Sequence, residues 1–295
     1  MKKSRLSKIL TLGLAAAMML SLASCGGDDK DGGDATEGKD ITVISREEGS
    51  GTRDAFTELT GVMSDDIDNT VATAEISNST SVVLQSVKGN DAAIGYVSLG
   101  SMSDSVKAVK VDGTEASVDN IKSGDYKLQR PFNIVTKGEI DELPQDFIDF
   151  IMSADGQAII EEEGYIAANE EAEAYESSGL KGTITLAGST SVSPVMEVLA
   201  DKYKEINTGV TIEIQQTGSG AGIQSTIEGV CDIGMASRAL EDDEEGEGLE
   251  SREIALDGIA VIVNKSNEVN DLSTEQIMKI FTGEITNWAD VDGDK

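Results

Sequence analysis

Histidine is missing from all 295 residues. Without it no Ser-His or Cys-His catalytic pair can form, and neither can a histidine-ligated zinc site. The serine and threonine hydroxyls therefore lack the commonest base that would turn them into nucleophiles. Cysteine is nearly missing too: Cys25 and Cys231 are the only two, which leaves no disulfide framework. Positive charge is scarce, with 23 Lys and Arg against 55 Asp and Glu and a formal net charge of -32. That balance argues against nucleic acid as a partner and against bulk attraction to anionic surfaces. No GxxxxGKS/T loop occurs and no GxGxxG follows a strand, so nucleotide binding has no support. Neither catalytic residues, nor a metal site, nor a cofactor is expected, and the balance moves from enzyme towards binder.

The chain does begin with an address. "MKKSRLSKIL" is basic and "TLGLAAAMMLSL" is apolar, too short to be a committed membrane span. Residues 1–25 thus read as a secretory signal, and "LASC" at 22–25 resembles a lipobox, making Cys25 the expected lipidation site. The protein is then expected outside the cytoplasm, held to the membrane by a lipid on Cys25. Residues 26–40, rich in Gly and Asp, read as a flexible tether. About 255 residues remain from 41 to 295, enough for one two-lobed protein or two small domains. Acidic runs at 170–176 and 241–250 read as solvated faces, and Cys231 as a small core thiol.

Strands and helices alternate along this body. "ITVI" at 41–44 reads as a strand and 52–62 as a helix; 78–80 reads as a polar turn before a helix over 81–87. "AAIGYVSL" reads as a buried strand whose backbone is closely approached at Gly95. From 181 onward the pattern is cleaner: "GTITLA" is a strand, and the helix after it carries Pro194 near its first turn. "VTIEIQQ", "CDIGMAS" and "IALDGIAVIVNKS" are further strands. Ser273 with Gln276 three residues on is a capping-box signature. The class is α/β with mainly parallel sheets.

Three helix entrances share one chemistry: Gly49-Ser50-Gly51-Thr52, Gly188-Ser189-Thr190-Ser191 and Thr217-Gly218-Ser219-Gly220. At a helix start the first N–H groups have no partner and the dipole favours an anion. Glycine lets the backbone come close, and hydroxyls add donors without charge. Any one loop alone is a capped helix after a turn. Three together, with Arg46 four residues before Ser50, point to a bound oxyanion, for which a guanidinium fork is well shaped.

These phrases resemble the phosphate-binding proteins of bacterial phosphate ABC importers, members of the two-lobed solute-binding superfamily. The likeness rests on "LAGSTSVSPVMEVLADKY", "QQTGSGAGIQ", "DIGMASRAL", "IFTGEITNWADV", "ITVISREEGSGTRDAF", "AAIGYVSLG" and "RPFNIVTKG". It covers nearly the whole body beyond the tether, but the halves stand in exchanged order. The "GST" loop usually comes first and "NWADV" runs straight into "REEGSGT". Circular permutation accounts for this, with the old ends joined through "ANEEAEAYESSGLKG"; the alternative is one piece of a longer tandem array.

The resemblance implies a type II periplasmic-binding-protein-like fold, permuted. One lobe is expected at 41–124 plus 266–295 and the other at 125–265, with crossing hinge segments near 126–137 and 259–265. It implies inorganic phosphate as ligand and ABC importer membrane subunits as partners. It places Arg46, Ser50, Gly51 and Thr52 on one wall of a cleft and Ser189, Thr190, Ser191, Ser219 and Ser237 on the other. The best-known members carry an aspartate at or beside the Ser237 position, where it accepts the proton of hydrogen phosphate. Its replacement leaves other oxyanions, sulfate or molybdate, as alternatives; a role in phosphate sensing is a separate alternative with the same site. Arg238 either adds a donor or pairs with the acidic run.

Overall fold

The computed structural model describes residues 38–169 and 171–291. The signal at 1–25, with Cys25, and most of the tether at 26–40 lie outside them. In one lobe Thr42–Arg46 (β1) leads into Gly51–Thr60 (α1), Glu75–Ser77 (β2) into Thr80–Gly89 (α2), and Ala93–Ser98 (β3) follows. β1 lies between β2 and β3, parallel to both. Gln129–Lys137 (β4) then carries the chain to the other lobe, where Glu142–Met152 (α3) and Ala154–Glu162 (α4) pack. There Gly182–Gly188 (β5), Ser193–Ile206 (α5), Val210–Gln216 (β6), Ser219–Ile227 (α6) and Ile233–Ala236 (β7) repeat the scheme. β5 is parallel to both β6 and β7. Leu249–Val263 (β8) returns to the first lobe, which Thr274–Thr282 (α7) completes.

The main strand order is β6-β5-β7-β4-β8-β3-β1-β2. The sheet is not parallel throughout. β4 leaves one lobe where β8 comes back, so the two run antiparallel over 249–258, and β8 then pairs antiparallel with β3 over 259–263. β8 also starts five residues before the expected Ile254. Glu250, Arg252 and Glu253 are exposed while their backbones pair with β4, so charged side chains conceal that part of the strand.

Each lobe has its own core. Phe132, Phe147, Phe150, Leu186, Leu199, Tyr203 and Ile254 belong to one buried cluster; Phe56, Tyr96, Tyr126, Leu128, Ile259, Val261 and Phe281 belong to the other. Tyr126, Leu128 and Ile259 to Val263, expected as hinge, thus pack with the lobe of β1. Gly95 in β3 is closely approached, since a methyl there would sit 3.1 Å from Val83 and 3.2 Å from Val87 of α2. The expected capping box opens α7: Ser273 Oγ accepts from Gln276 N at 3.1 Å, and Gln276 Oε1 accepts from Ser273 N at 2.8 Å. Pro194 lies in the first turn of α5, where a missing N–H costs nothing. Cys231 is buried just before β7, and that burial pushes its thiol pKa up. No helix of the described residues is long and apolar enough to cross a membrane.

Two seams close the fold. Lys39 and Asp40, expected in the tether, pair together with Ile41 against residues 286–288: Ile41 N donates to Thr286 O at 2.8 Å, Trp288 N to Lys39 O at 2.9 Å, and Asp40 bridges Asn287. The stretch 171–181 has no regular structure but is fastened. Asp146 Oδ2 accepts hydroxyls from Tyr175 at 2.6 Å, Tyr203 at 2.5 Å and Ser178 at 2.9 Å.

Candidate binding cleft

The site begins in a core. Phe56 of α1 stacks on Tyr96 of β3 at 3.9 Å between centroids, and Phe281 of α7 meets Phe56 edge-on at 4.7 Å. Such pairs contribute about 0.5–1.5 kcal/mol each beyond the area they bury. The Tyr96 hydroxyl reaches the end of β1, sharing a hydrogen bond with Ser45 Oγ at 2.8 Å and accepting one from Arg46 N at 3.2 Å. Burial pushes the Tyr96 pKa up to about 12, so this brace stays protonated.

Arg46 is 2% exposed and heavily held. Nε and Nη2 form a fork on Glu47, both at 2.8 Å; Nε also donates to Ser77 O at 3.2 Å and Nη1 to Thr80 Oγ1 at 3.4 Å. Nη2 reaches the other lobe, donating to Thr190 Oγ1 at 3.0 Å. Beside it Thr52 Oγ1 and Ser191 Oγ share a hydrogen bond at 2.9 Å. Thr80 Oγ1 lies 3.3 Å from Thr190 Oγ1 and 3.2 Å from Ser191 Oγ, while its backbone N is 3.4 Å from Thr190 Oγ1.

The remaining expected residues form a second cluster. Ser189 Oγ donates to Ser237 Oγ at 3.0 Å, Ser219 Oγ lies 3.3 Å from Ser237 Oγ, and Ser237 N donates to Ser219 Oγ at 3.2 Å. Gly51 faces this cluster from the opposite lobe. A methyl there would stand 2.7 Å from Ser219 Oγ and 2.9 Å from Ser237 Oγ, so only glycine allows the approach. Gly220 N donates to Gly49 O at 3.0 Å across the same gap. Ser50 is buried at the start of α1 and makes no side-chain capping bond. The Gly188–Ser191 loop is not itself a helix start, because a turn intervenes before α5 begins at Ser193.

Arg238 is an ion-pair centre. Its guanidinium forks onto Glu244 at 2.6 and 2.8 Å, and also meets Glu241 at 3.1 Å and Asp54 of the other lobe at 3.1 Å. Burial pushes the Asp54 pKa up to about 6, with Arg238 opposing the rise. Under Ser237, Arg130 Nη1 donates to its carbonyl at 3.2 Å, and Nη2 pairs with buried Asp257 at 3.2 Å. Burial raises Asp257 to about 6 as well, again against its arginine.

Sequence reasoning did not single out Thr80, Glu47 or Asp54. For Thr80 a signal existed, since "ISNST" is a strand end followed by hydroxyl residues at a helix entrance. The arrangement as a whole is a buried shell of hydroxyl, amide and guanidinium donors, drawn from both lobes. It can surround a small acceptor-rich guest.

A family model described as PBP superfamily domain matches residues 3–155 and 173–295. Phosphate-binding protein PstS 2 of Streptococcus agalactiae serotype V is 49% identical over 290 residues, covering 96% of this chain and 98% of the relative. Phosphate-binding protein PstS of Staphylococcus haemolyticus is 40% identical over 120 residues, which are 38% of each chain. Among solved structures, a phosphate-binding protein of a phosphate ABC transporter from Streptococcus pneumoniae TIGR4 superposes with a TM-score of 0.70 at 49% identity. That match covers 86% of this chain and 100% of the other.

Proposed function

We propose a function from one fact: the chain belongs to the PBP superfamily, in the family of phosphate-binding proteins PstS. The streptococcal relative is named a phosphate-binding protein, and the similar solved structure a phosphate-binding protein of a phosphate ABC transporter. On this reading the protein captures inorganic phosphate between its lobes and hands it to the membrane subunits of an importer. The site is made by Arg46, Ser50, Gly51 and Thr52 on one wall and Ser189, Thr190, Ser191, Ser219 and Ser237 on the other. The observation that carries the reading is Arg46 Nη2 on Thr190 Oγ1 at 3.0 Å, a buried cation meeting a hydroxyl of the opposite lobe. A charge-assisted hydrogen bond contributes about 1.5–3 kcal/mol net. Several of them, less desolvation and closure, reach about -8 kcal/mol, a micromolar affinity, without long-range attraction.

The lobes part between Leu128 and Phe132 and between Ala255 and Ile259, as the division of the cores supports. β4 and β8 form the hinge. Cys25 carries a lipid that keeps the protein outside the cytoplasm at the membrane, a reading supported by the sequence of residues 1–25. The order of the halves is a circular permutation. What supports it is the pairing of Lys39 to Ile41 with Thr286 to Trp288, and a match to the staphylococcal relative confined to 38% of each chain. A single collinear match to a differently ordered relative can take in only one half.

Another oxyanion is a second reading with an observation behind it. Glu47 is engaged by Arg46, and Asp54 and Glu244 by Arg238, so the hydroxyl clusters offer a guest only weak acceptors. A phosphate site with a strong acceptor rejects fully ionised sulfate; this one has little to reject it with. Calorimetric titration of the purified protein with phosphate, sulfate and molybdate decides between them. Saturable phosphate binding is expected at about micromolar Kd. No heat and no thermal shift at millimolar phosphate would overturn the reading, and tighter binding of sulfate or molybdate would transfer it to that anion.

A further inference from the structure

The hydroxyls that meet across the cleft could point their hydrogens either way, since each is both donor and acceptor. Arg46 removes that freedom. A guanidinium has hydrogens to give and no lone pair to accept with. Any hydroxyl it touches must accept there and send its own hydrogen elsewhere. Two hydroxyls are so placed, Thr190 Oγ1 at 3.0 Å and Thr80 Oγ1 at 3.4 Å. Thr190 Oγ1 also lies within reach of Thr80 N at 3.4 Å, a second group that only donates. Thr80 Oγ1 is 3.2 Å from Ser191 Oγ, which is 2.9 Å from Thr52 Oγ1. A hydroxyl chain therefore runs from the cation through Thr80 to Ser191 and back to Thr52.

Building on the anion cleft just described, we propose that Thr80 is a positioning residue. It passes the donor direction of Arg46 through Ser191 to Thr52, each hydroxyl giving its one hydrogen to the next, so that Thr52 at the end of the chain presents a hydrogen, not a lone pair, to the guest. Among the described residues only the Thr80 hydroxyl hydrogen-bonds both the Arg46 and the Ser191 side chains, and Thr80 is 5% exposed, so water cannot readily take its place. Its backbone is fixed as the first residue of α2, and its neighbour Ser77 holds Arg46 Nε through its carbonyl at 3.2 Å. The turn between β2 and α2 thus both seats the cation and relays its polarity. An anion built wholly of acceptors gains from a chain that ends in a hydrogen aimed at it.

Phosphate titrations of the wild type, Thr80→Val, Thr80→Ser and Ser191→Ala test this. Valine keeps the shape and removes the hydroxyl, while serine keeps the hydroxyl and removes the methyl. Thr80→Val is expected to weaken phosphate binding about tenfold and Thr80→Ser by less than about threefold. The ligand-free thermal midpoints of the two should agree. In the Ser191→Ala background Thr80→Val should cost less than about threefold, because the relay is already cut. Three outcomes overturn the proposal: Thr80→Val binding as the wild type does, Thr80→Ser losing as much as valine, or the double variant losing the product of the two single losses. A wild type that binds no oxyanion at all would instead sink the reading of the cleft, and Thr80 with it.

Discussion

The two walls of the cleft carry similar hydroxyls and differ in charge. The wall of β1 and α1 contains a guanidinium that its own lobe holds in place through Glu47, Ser77 and Thr80. The opposite wall faces it with neutral hydroxyls, Ser189, Ser219 and Ser237 satisfying one another while Thr190 and Ser191 reach across to Arg46 and Thr52. One wall is therefore preorganised electrostatically and the other mainly by shape. Affinity should depend steeply on the first and more evenly on the second.

The sharpest way to break this comparison is Arg46→Ala. It removes the buried cation, leaves Glu47 without its partner, and is expected to lower phosphate affinity about a hundredfold or more by calorimetry. Affinity within threefold of the wild type would show that the charged wall is not the stronger one. Gly51→Ala comes next, since its methyl would meet Ser219 and Ser237 when the lobes are together. Overpacking costs about 1–3 kcal/mol, so binding should weaken about tenfold. Because the clash lies between lobes, the ligand-free melting temperature should change little. Thr190→Val tests the neutral wall, and one lost hydrogen bond of about 1 kcal/mol should weaken binding about fivefold.

The smallest effect concerns Asp54, where the walls meet through Arg238. Its pKa in the folded protein, about 6, lies above the ordinary 3.8. Between those values the folded protein holds a proton that the unfolded chain has released, so stability falls as pH rises through the window. Asp54→Asn should reduce that slope. The check is the melting temperature of both proteins from about pH 4 to 7, with the wild type gaining relative to the variant on acidification. Parallel curves would remove Asp54 from the account.

Much of the cleft was legible because its residues come in short local phrases, a strand followed by Gly, Ser and Thr at a helix entrance. Thr80 sits in such a phrase but without glycine, and it reads as the end of a turn. Asp54 in the first turn of α1 is what any helix dipole favours, and its partner lies 184 positions away, beyond local pattern. The early part of β8 is hidden by charged side chains on a solvent face, although its backbone is fully paired with β4. The stretch 171–181 has no periodicity at all, because scattered single bonds from Tyr175, Ser177 and Ser178 fix it and not a repeating face.

Trp288 is the sole tryptophan of the sequence and is 5% exposed, its indole donating to Ala92 O at 2.9 Å beside the seam of residues 39–41 with 286–288. The sequence thus carries a single indole probe at the seam between residues 39–41 and 286–288 and none beside Arg46. Emission excited near the red edge of the indole band would follow loosening of that join, and the melting of the lobe around it, largely undisturbed by events at Arg46.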